Sequence, residues 1–188
     1  MGGLFFVVIA VLVIFYCIGA SSSSTPDPKD LPSSVEAKCP FCGAVNSSRA
    51  YIPSKEPAPA FFKCRDCLRY YGDKAKMTPE EKKMVEQSNR DCSRVDKMPE
   101  KAKVIEAVVA DFKASGGFSS GDLGMVVIKD GRVEAERAKG AKRFITAYPY
   151  ISPIADQRLT MMCYKKLKEE MPYATFTFGD GWVSREFK

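Results

Sequence analysis

Four of the seven cysteines in this chain stand as two Cys-x-x-Cys pairs, Cys39/Cys42 and Cys64/Cys67, with twenty-one residues between them. Each such segment can turn back on itself and aim two thiolates at one centre. Two turns together complete a tetrahedral four-sulfur shell, the donor set of a structural zinc site. Gly43 follows the first pair, where a metal-binding turn needs a relaxed backbone, and nearby basic side chains favour thiolate over thiol. The sequence thus implies one structural zinc ion held by Cys39, Cys42, Cys64 and Cys67.

Two other chemistries use the same residues. CPFC alone matches a dithiol redox motif, but that chemistry needs the motif at the start of a helix after a buried strand, and DLPSSVEAK and AVNSSRA supply neither. A disulfide framework is the other: without residues 1–20 the chain holds six cysteines, 39, 42, 64, 67, 92 and 163, enough for three bridges in an exported protein. Asn46-Ser47-Ser48 adds a glycosylation acceptor pattern to that alternative.

The chain contains no histidine. That excludes Ser-His-Asp and Cys-His nucleophilic sites, imidazole bases and imidazole metal ligands. No acid pair has a spacing that singles it out, so the expectation is a non-enzymatic protein with no small-molecule substrate.

Residues 39–71 resemble a zinc ribbon of the kind found in transposase-associated ribbons and plant Dof domains. CPFC opens the segment and PAPAFFKCRDCLRYY closes it, as CPxC and an aromatic–basic stretch such as RYFCKTCRRYW do there, and the Cys-to-Cys spacing equals the Dof spacing. The resemblance implies zinc ligation by Cys39, Cys42, Cys64 and Cys67, flanked by Phe61, Phe62, Tyr70 and Tyr71. It departs where GDKAKMTPEE replaces the Dof tail and where Lys63 displaces the aromatic before the third cysteine.

Residues 39–76 carry seven Lys/Arg against Glu56, Asp66 and Asp73, a net charge of +4, out of +6 for the whole chain. Arg65, Arg69, Tyr70, Tyr71, Phe61 and Phe62 are therefore the candidate partner surface. Basic residues interleaved with aromatics suit either an acidic protein partner or nucleic acid. The expectation is a protein partner, with nucleic-acid binding as the alternative.

The elements around the ribbon follow from patterning. Leu4–Ala20 is an uncharged apolar run of seventeen residues, spanning about 26 Å as a helix, near the lower limit for a bilayer core. The expectation is a single-pass membrane anchor with the soluble part in the cytosol; the alternative is secretion after cleavage near Ala20. Phe6 breaks the myristoylation pattern. Residues 21–38 read as a Ser/Pro-rich linker. Within the ribbon, Arg49–Ile52 and Ala60–Lys63 are expected as the arms of a hairpin.

Residues 77–188 read as a small α+β domain in the order α-α-β-β-α-β-β. Thr78-Pro79-Glu80-Glu81 is a helix start with a capping box, and Met84, Val85, Ser88, Cys92 and Val95 share one face. A second helix begins near Pro99 with a stripe through Val104, Val108 and Phe112. GMVVIKDGRVEAERA predicts a hairpin about Asp130-Gly131. A third helix spans 154–171, and YATFTF with WVSREF gives a second hairpin. The basic run 132–143 reads as a solvated edge and loop, or as a docking site for anionic headgroups or an acidic partner. Cys92 and Cys163 fall on helix core faces.

Overall fold

Thr78 starts the first helix through its side chain: its Oγ1 accepts the Glu81 N–H at 3.2 Å, while the Glu81 carboxylate accepts the Thr78 N–H at 2.8 Å. Pro79 takes the first turn without losing a helical hydrogen bond. Helix α1 (Pro79–Lys97) then buries Val85, Ser88, Cys92 and Val95. Helix α2 (Lys101–Ala114) buries Val104, Val108, Val109 and Phe112. Helix α3 (Pro153–Glu170) begins where the Ser152 hydroxyl accepts the Ala155 N–H at 3.2 Å, and it buries Leu159, Met161, Cys163 and Leu167.

These elements belong to a computed structural model, which describes residues 33–115, 124–137 and 141–186. The chain divides into two compact units. One comprises residues 1–34 and 49–58; among its described residues Ser33 and Tyr51 form an isolated antiparallel bridge. The other, residues 35–48 and 59–188, carries everything that follows.

Among the described residues there are nine short strands, four before the helices, three between α2 and α3, and two after α3. The first four, β1 (Glu36–Lys38), β2 (Val45–Ser47), β3 (Phe61–Lys63) and β4 (Tyr70–Gly72), form two separate hairpins, β1–β2 and β3–β4. The other five, β5 (Met125–Lys129), β6 (Arg132–Glu136), β7 (Lys142–Ala147), β8 (Thr175–Gly179) and β9 (Trp182–Glu186), make one antiparallel sheet in the order β7-β6-β5-β9-β8. The β5–β6 turn places Asp130 and Gly131 at positive φ, 52° and 77°, as a two-residue hairpin turn matching the strand twist requires. A Cβ on Gly131 would also lie 2.9 Å from the Tyr148 carbonyl oxygen.

Alternate residues Val126, Ile128, Val133 and Val183 point to one sheet face and pack with Val104, Val108, Phe112, Leu159 and Leu167 of the helices. Phe112 meets Phe176 edge-to-face at 5.4 Å between centroids. Each of the fully enclosed side chains stabilises the fold by roughly 1.5–3 kcal/mol.

Three expectations are corrected. The element order is α-α-β-β-β-α-β-β, because Lys142–Ala147, which overlaps only the last two residues of the basic run 132–143, forms the edge strand β7. Its pattern hid it: Phe144 is 60% exposed, and Thr146 is its one fully buried residue. Two arginines of that run also pair with buried Asp111 of α2: Arg137, which is largely covered, and Arg143, which stays 63% exposed. The predicted arms Arg49–Ile52 and Ala60–Lys63 do not pair; Phe61–Lys63 pairs instead with Tyr70–Gly72.

The expected membrane anchor and single-pass localisation find no support among the described residues: no helix among them is long and apolar enough to cross a membrane. The described helices are amphipathic and carry charge along their exposed faces. The apolar segment 4–20 and the cleavage position near Ala20 lie outside the described residues.

Candidate metal centre

The two Cys-x-x-Cys segments fold into the same turn. In the first, Cys39 N–H donates to the Ala44 carbonyl at 2.8 Å and Gly43 N–H returns to the Cys39 carbonyl at 2.9 Å. In the second, Cys64 N–H donates to Arg69 at 2.9 Å and Leu68 N–H returns to Cys64 at 2.9 Å. Each turn joins the two strands of its own hairpin, so β1–β2 presents one cysteine pair and β3–β4 the other. The closing residue is left-handed in both, with φ 77° at Gly43 and 59° at Leu68. Glycine adopts this freely; leucine gives up roughly 1–2 kcal/mol, offset by burial of the Leu68 side chain to 9% exposure.

The turns face one another. Cys39 Sγ lies 3.6 Å from Cys67 Sγ and Cys42 Sγ lies 3.5 Å from Cys64 Sγ, and all four sulfurs lie within 4.8 Å of one another. Four sulfurs about 2.3 Å from a common ion stand about 3.8 Å apart, so the cluster has the dimensions of a tetrahedral metal shell. Disulfide sulfurs stand about 2.05 Å apart, and all six described cysteines are free thiols. Cys39, Cys64 and Cys67 are buried, whereas Cys42 faces solvent.

The protein environment sorts these thiols. Burial pushes Cys67 well above its ordinary 9.0, and burial raises Cys42 as well. Burial also pushes Cys64 upward, but the N–H groups of Cys67 and Asp66 and the neighbouring thiols outweigh it, and Cys64 falls to about 7. A bound cation would draw all four to thiolate.

Asn46 on β2 ties the halves together. Its amide nitrogen donates to the Ala44 carbonyl at 3.0 Å and reaches the Cys64 sulfur at 3.5 Å, while its oxygen accepts the Arg65 N–H at 2.8 Å. Its side chain is thus fully engaged and only 4% exposed, so the Asn46-Ser47-Ser48 acceptor pattern is closed to glycosylation in this fold.

The second turn is docked on the helices. Arg69 Nη2 donates to Asp96 of α1 at 2.5 Å, and Arg158 of α3 donates to the other oxygen of Asp96 at 3.0 and 3.1 Å. Arg158 also donates to the Cys67 carbonyl at 3.2 Å. Asn89 pairs with both backbone groups of Tyr70 at 2.8 Å, as a neighbouring strand would.

Of the candidate partner residues, Arg65 is exposed and Arg69 is turned inward to Asp96. Tyr71 donates its hydroxyl to the Ala37 carbonyl at 2.9 Å and stacks on Phe62 at 5.6 Å; Tyr70 packs edge-on against Phe61 at 5.8 Å. Sequence reasoning missed Phe41, Asn89, Asp96 and Arg158, and it read Asn46 only as a glycosylation acceptor. Asn46 and Phe41 lie next to a cysteine motif, which was a usable signal. The other three sit on helices with no local mark. No protein-family model matches the chain, and neither the curated proteins nor the solved structures yield a match.

Proposed function

We propose that the four cysteines hold one structural zinc ion and that the ribbon so formed is a non-enzymatic recognition module for a protein partner. The observation carrying the reading is the mutual approach of four sulfurs to within 4.8 Å from two equivalent turns. Four protein thiolates fill the tetrahedral shell, which leaves no open position for a substrate or activated water. Thiolate sulfur favours zinc over the hard cations. The small apolar cluster around the cysteines, with Ala44 and Tyr71 packed against it, is too slight to fold the two hairpins unaided, a role metal binding fills.

Metal analysis of purified protein tests this. One zinc per chain is expected, with four thiols that react with Ellman's reagent only after chelation. A protein with no metal and no free thiols, or one with visible iron–thiolate absorption in place of zinc, overturns the reading.

A further inference from the structure

Beside the cysteine cluster an open groove of about 990 Å³ runs between the first turn, β4 and α1. Phe41, Tyr70, Met77 and Val85 supply its apolar lining, and five cations, Lys38, Lys74, Arg90, Arg94 and Lys97, stand along it against one carboxylate, Glu86. That carboxylate is already met by Lys74 at 3.7 Å, and Arg94 lies 3.9 Å from Asp91. Lys38 and Lys97 have no ion-pair partner among the described residues. Phe41, at the tip of the first turn, is 48% exposed and carries the Arg69 guanidinium 4.9 Å from its ring centre.

We infer that this groove binds an acidic linear peptide, one that seats a large apolar side chain against Phe41, Met77 and Val85 and sets flanking Asp or Glu on Lys38 and Lys97. The inference rests on the zinc-ribbon reading, because the metal would hold the Phe41 turn in place. Charge complementarity selects an anionic partner, and the apolar lining selects a side-chain anchor. Strand addition at Tyr70 is closed, since Asn89 already occupies both of its backbone groups. Single-stranded nucleic acid fits less well. It needs successive open aromatic faces, and here Tyr71 is stacked on Phe62 while Tyr70 is packed against Phe61.

The test is selection from a random twelve-residue display library on the zinc-loaded full chain, with K38E/K97E and F41A in parallel. Zinc content and circular dichroism are measured first on all three. Selected peptides are expected to combine Asp or Glu with Leu, Phe or Met. They should bind K38E/K97E at least tenfold and F41A at least fivefold more weakly, with affinity falling between 50 and 300 mM salt. Absence of metal in the wild-type protein sinks the ribbon reading itself. A folded, zinc-loaded protein that selects no acidic peptides, or whose peptides bind K38E/K97E undiminished, overturns the groove assignment alone. Tighter binding of oligo-dT than of any selected peptide, lost in K38E/K97E, overturns it in favour of nucleic acid.

Discussion

The Asn46 side-chain oxygen accepts the Arg65 backbone N–H at 2.8 Å, so a residue of the first hairpin closes the turn of the second. The same amide donates toward Cys64 Sγ at 3.5 Å, and a hydrogen bond to a ligating atom orients it and tunes its affinity for metal. Replacing Asn46 with Ala removes both links and leaves the Arg65 N–H without its partner. We expect affinity for the proposed zinc ion to fall about 10- to 100-fold, read by competition with a chromophoric chelator. Unchanged affinity would show that the two turns are held together by the cysteines alone.

Asp96 is the joint between the ribbon and the helices. One of its oxygens takes Arg69 and the other takes Arg158, which in turn holds the Cys67 carbonyl. The three side chains are 26%, 19% and 16% exposed, so solvent screens them only in part. Asp96→Asn leaves two half-buried guanidinium groups without their counter-charge. Removing one partner of a fully buried pair costs about 3–5 kcal/mol, and partial exposure lowers that to about 2 kcal/mol here. Urea denaturation of the metal-loaded variant measures it; a loss under 0.5 kcal/mol would mean that the network contributes nothing measurable.

What the sequence disclosed, and what it withheld, divides by distance along the chain. The Thr78–Glu81 capping box and the Asp130-Gly131 turn are local chemistry, and both are found where the residues indicate. The cysteine cluster was legible because paired Cys-x-x-Cys motifs carry their spacing with them. Strand β7 was not, because an edge strand with one covered position has no alternation to read. Nor was the Asp96 network, whose members Asp96 and Arg158 are 62 residues apart and meet only once α1 lies beside α3. Asn46 was visible but misread: its sequence context suggested a glycan, while the fold aims its amide at a sulfur.

Tyr148 and Asp156 give the sheet domain a pH signature. The Tyr148 hydroxyl donates to Asp156 Oδ1 at 2.6 Å, and the other oxygen of Asp156 accepts the Asp130 N–H at 3.1 Å. Burial, and then the Asp156 carboxylate, holds the Tyr148 hydroxyl far above its usual 10.0. The folded state therefore keeps a proton that unfolded tyrosine releases above pH 10. This stabilisation is fully present below pH 10 and is lost as pH rises beyond it. Tyr148→Phe should cost about 1–2 kcal/mol at pH 8 and show a shallower loss of stability between pH 9.5 and 11. Parallel stability profiles for the two proteins would exclude Tyr148 as the source.

Metal removal should unfold one part of the compact unit and spare another. The β5–β9 sheet has its own core, with Phe112, Ile128, Leu159 and Leu167 fully enclosed among helices and strands. The hairpins β1–β2 and β3–β4 enclose a much smaller cluster, Cys39, Cys64 and Cys67 with Ala44 and Tyr71 packed against it. Once a chelator strips the ion, the thiolates of Cys39, Cys42, Cys64 and Cys67 repel one another or take up protons, and nothing apolar replaces the lost bonds. Hydrogen exchange should then accelerate at least 100-fold across residues 36–47 and 61–72. Protection in α2 and β5 should change less than threefold, while α1 loses protection around Asn89, whose partner Tyr70 has left. Uniform loss across all elements would mean that the ribbon is part of the domain's folding core; no loss in the hairpins would mean that no metal holds them.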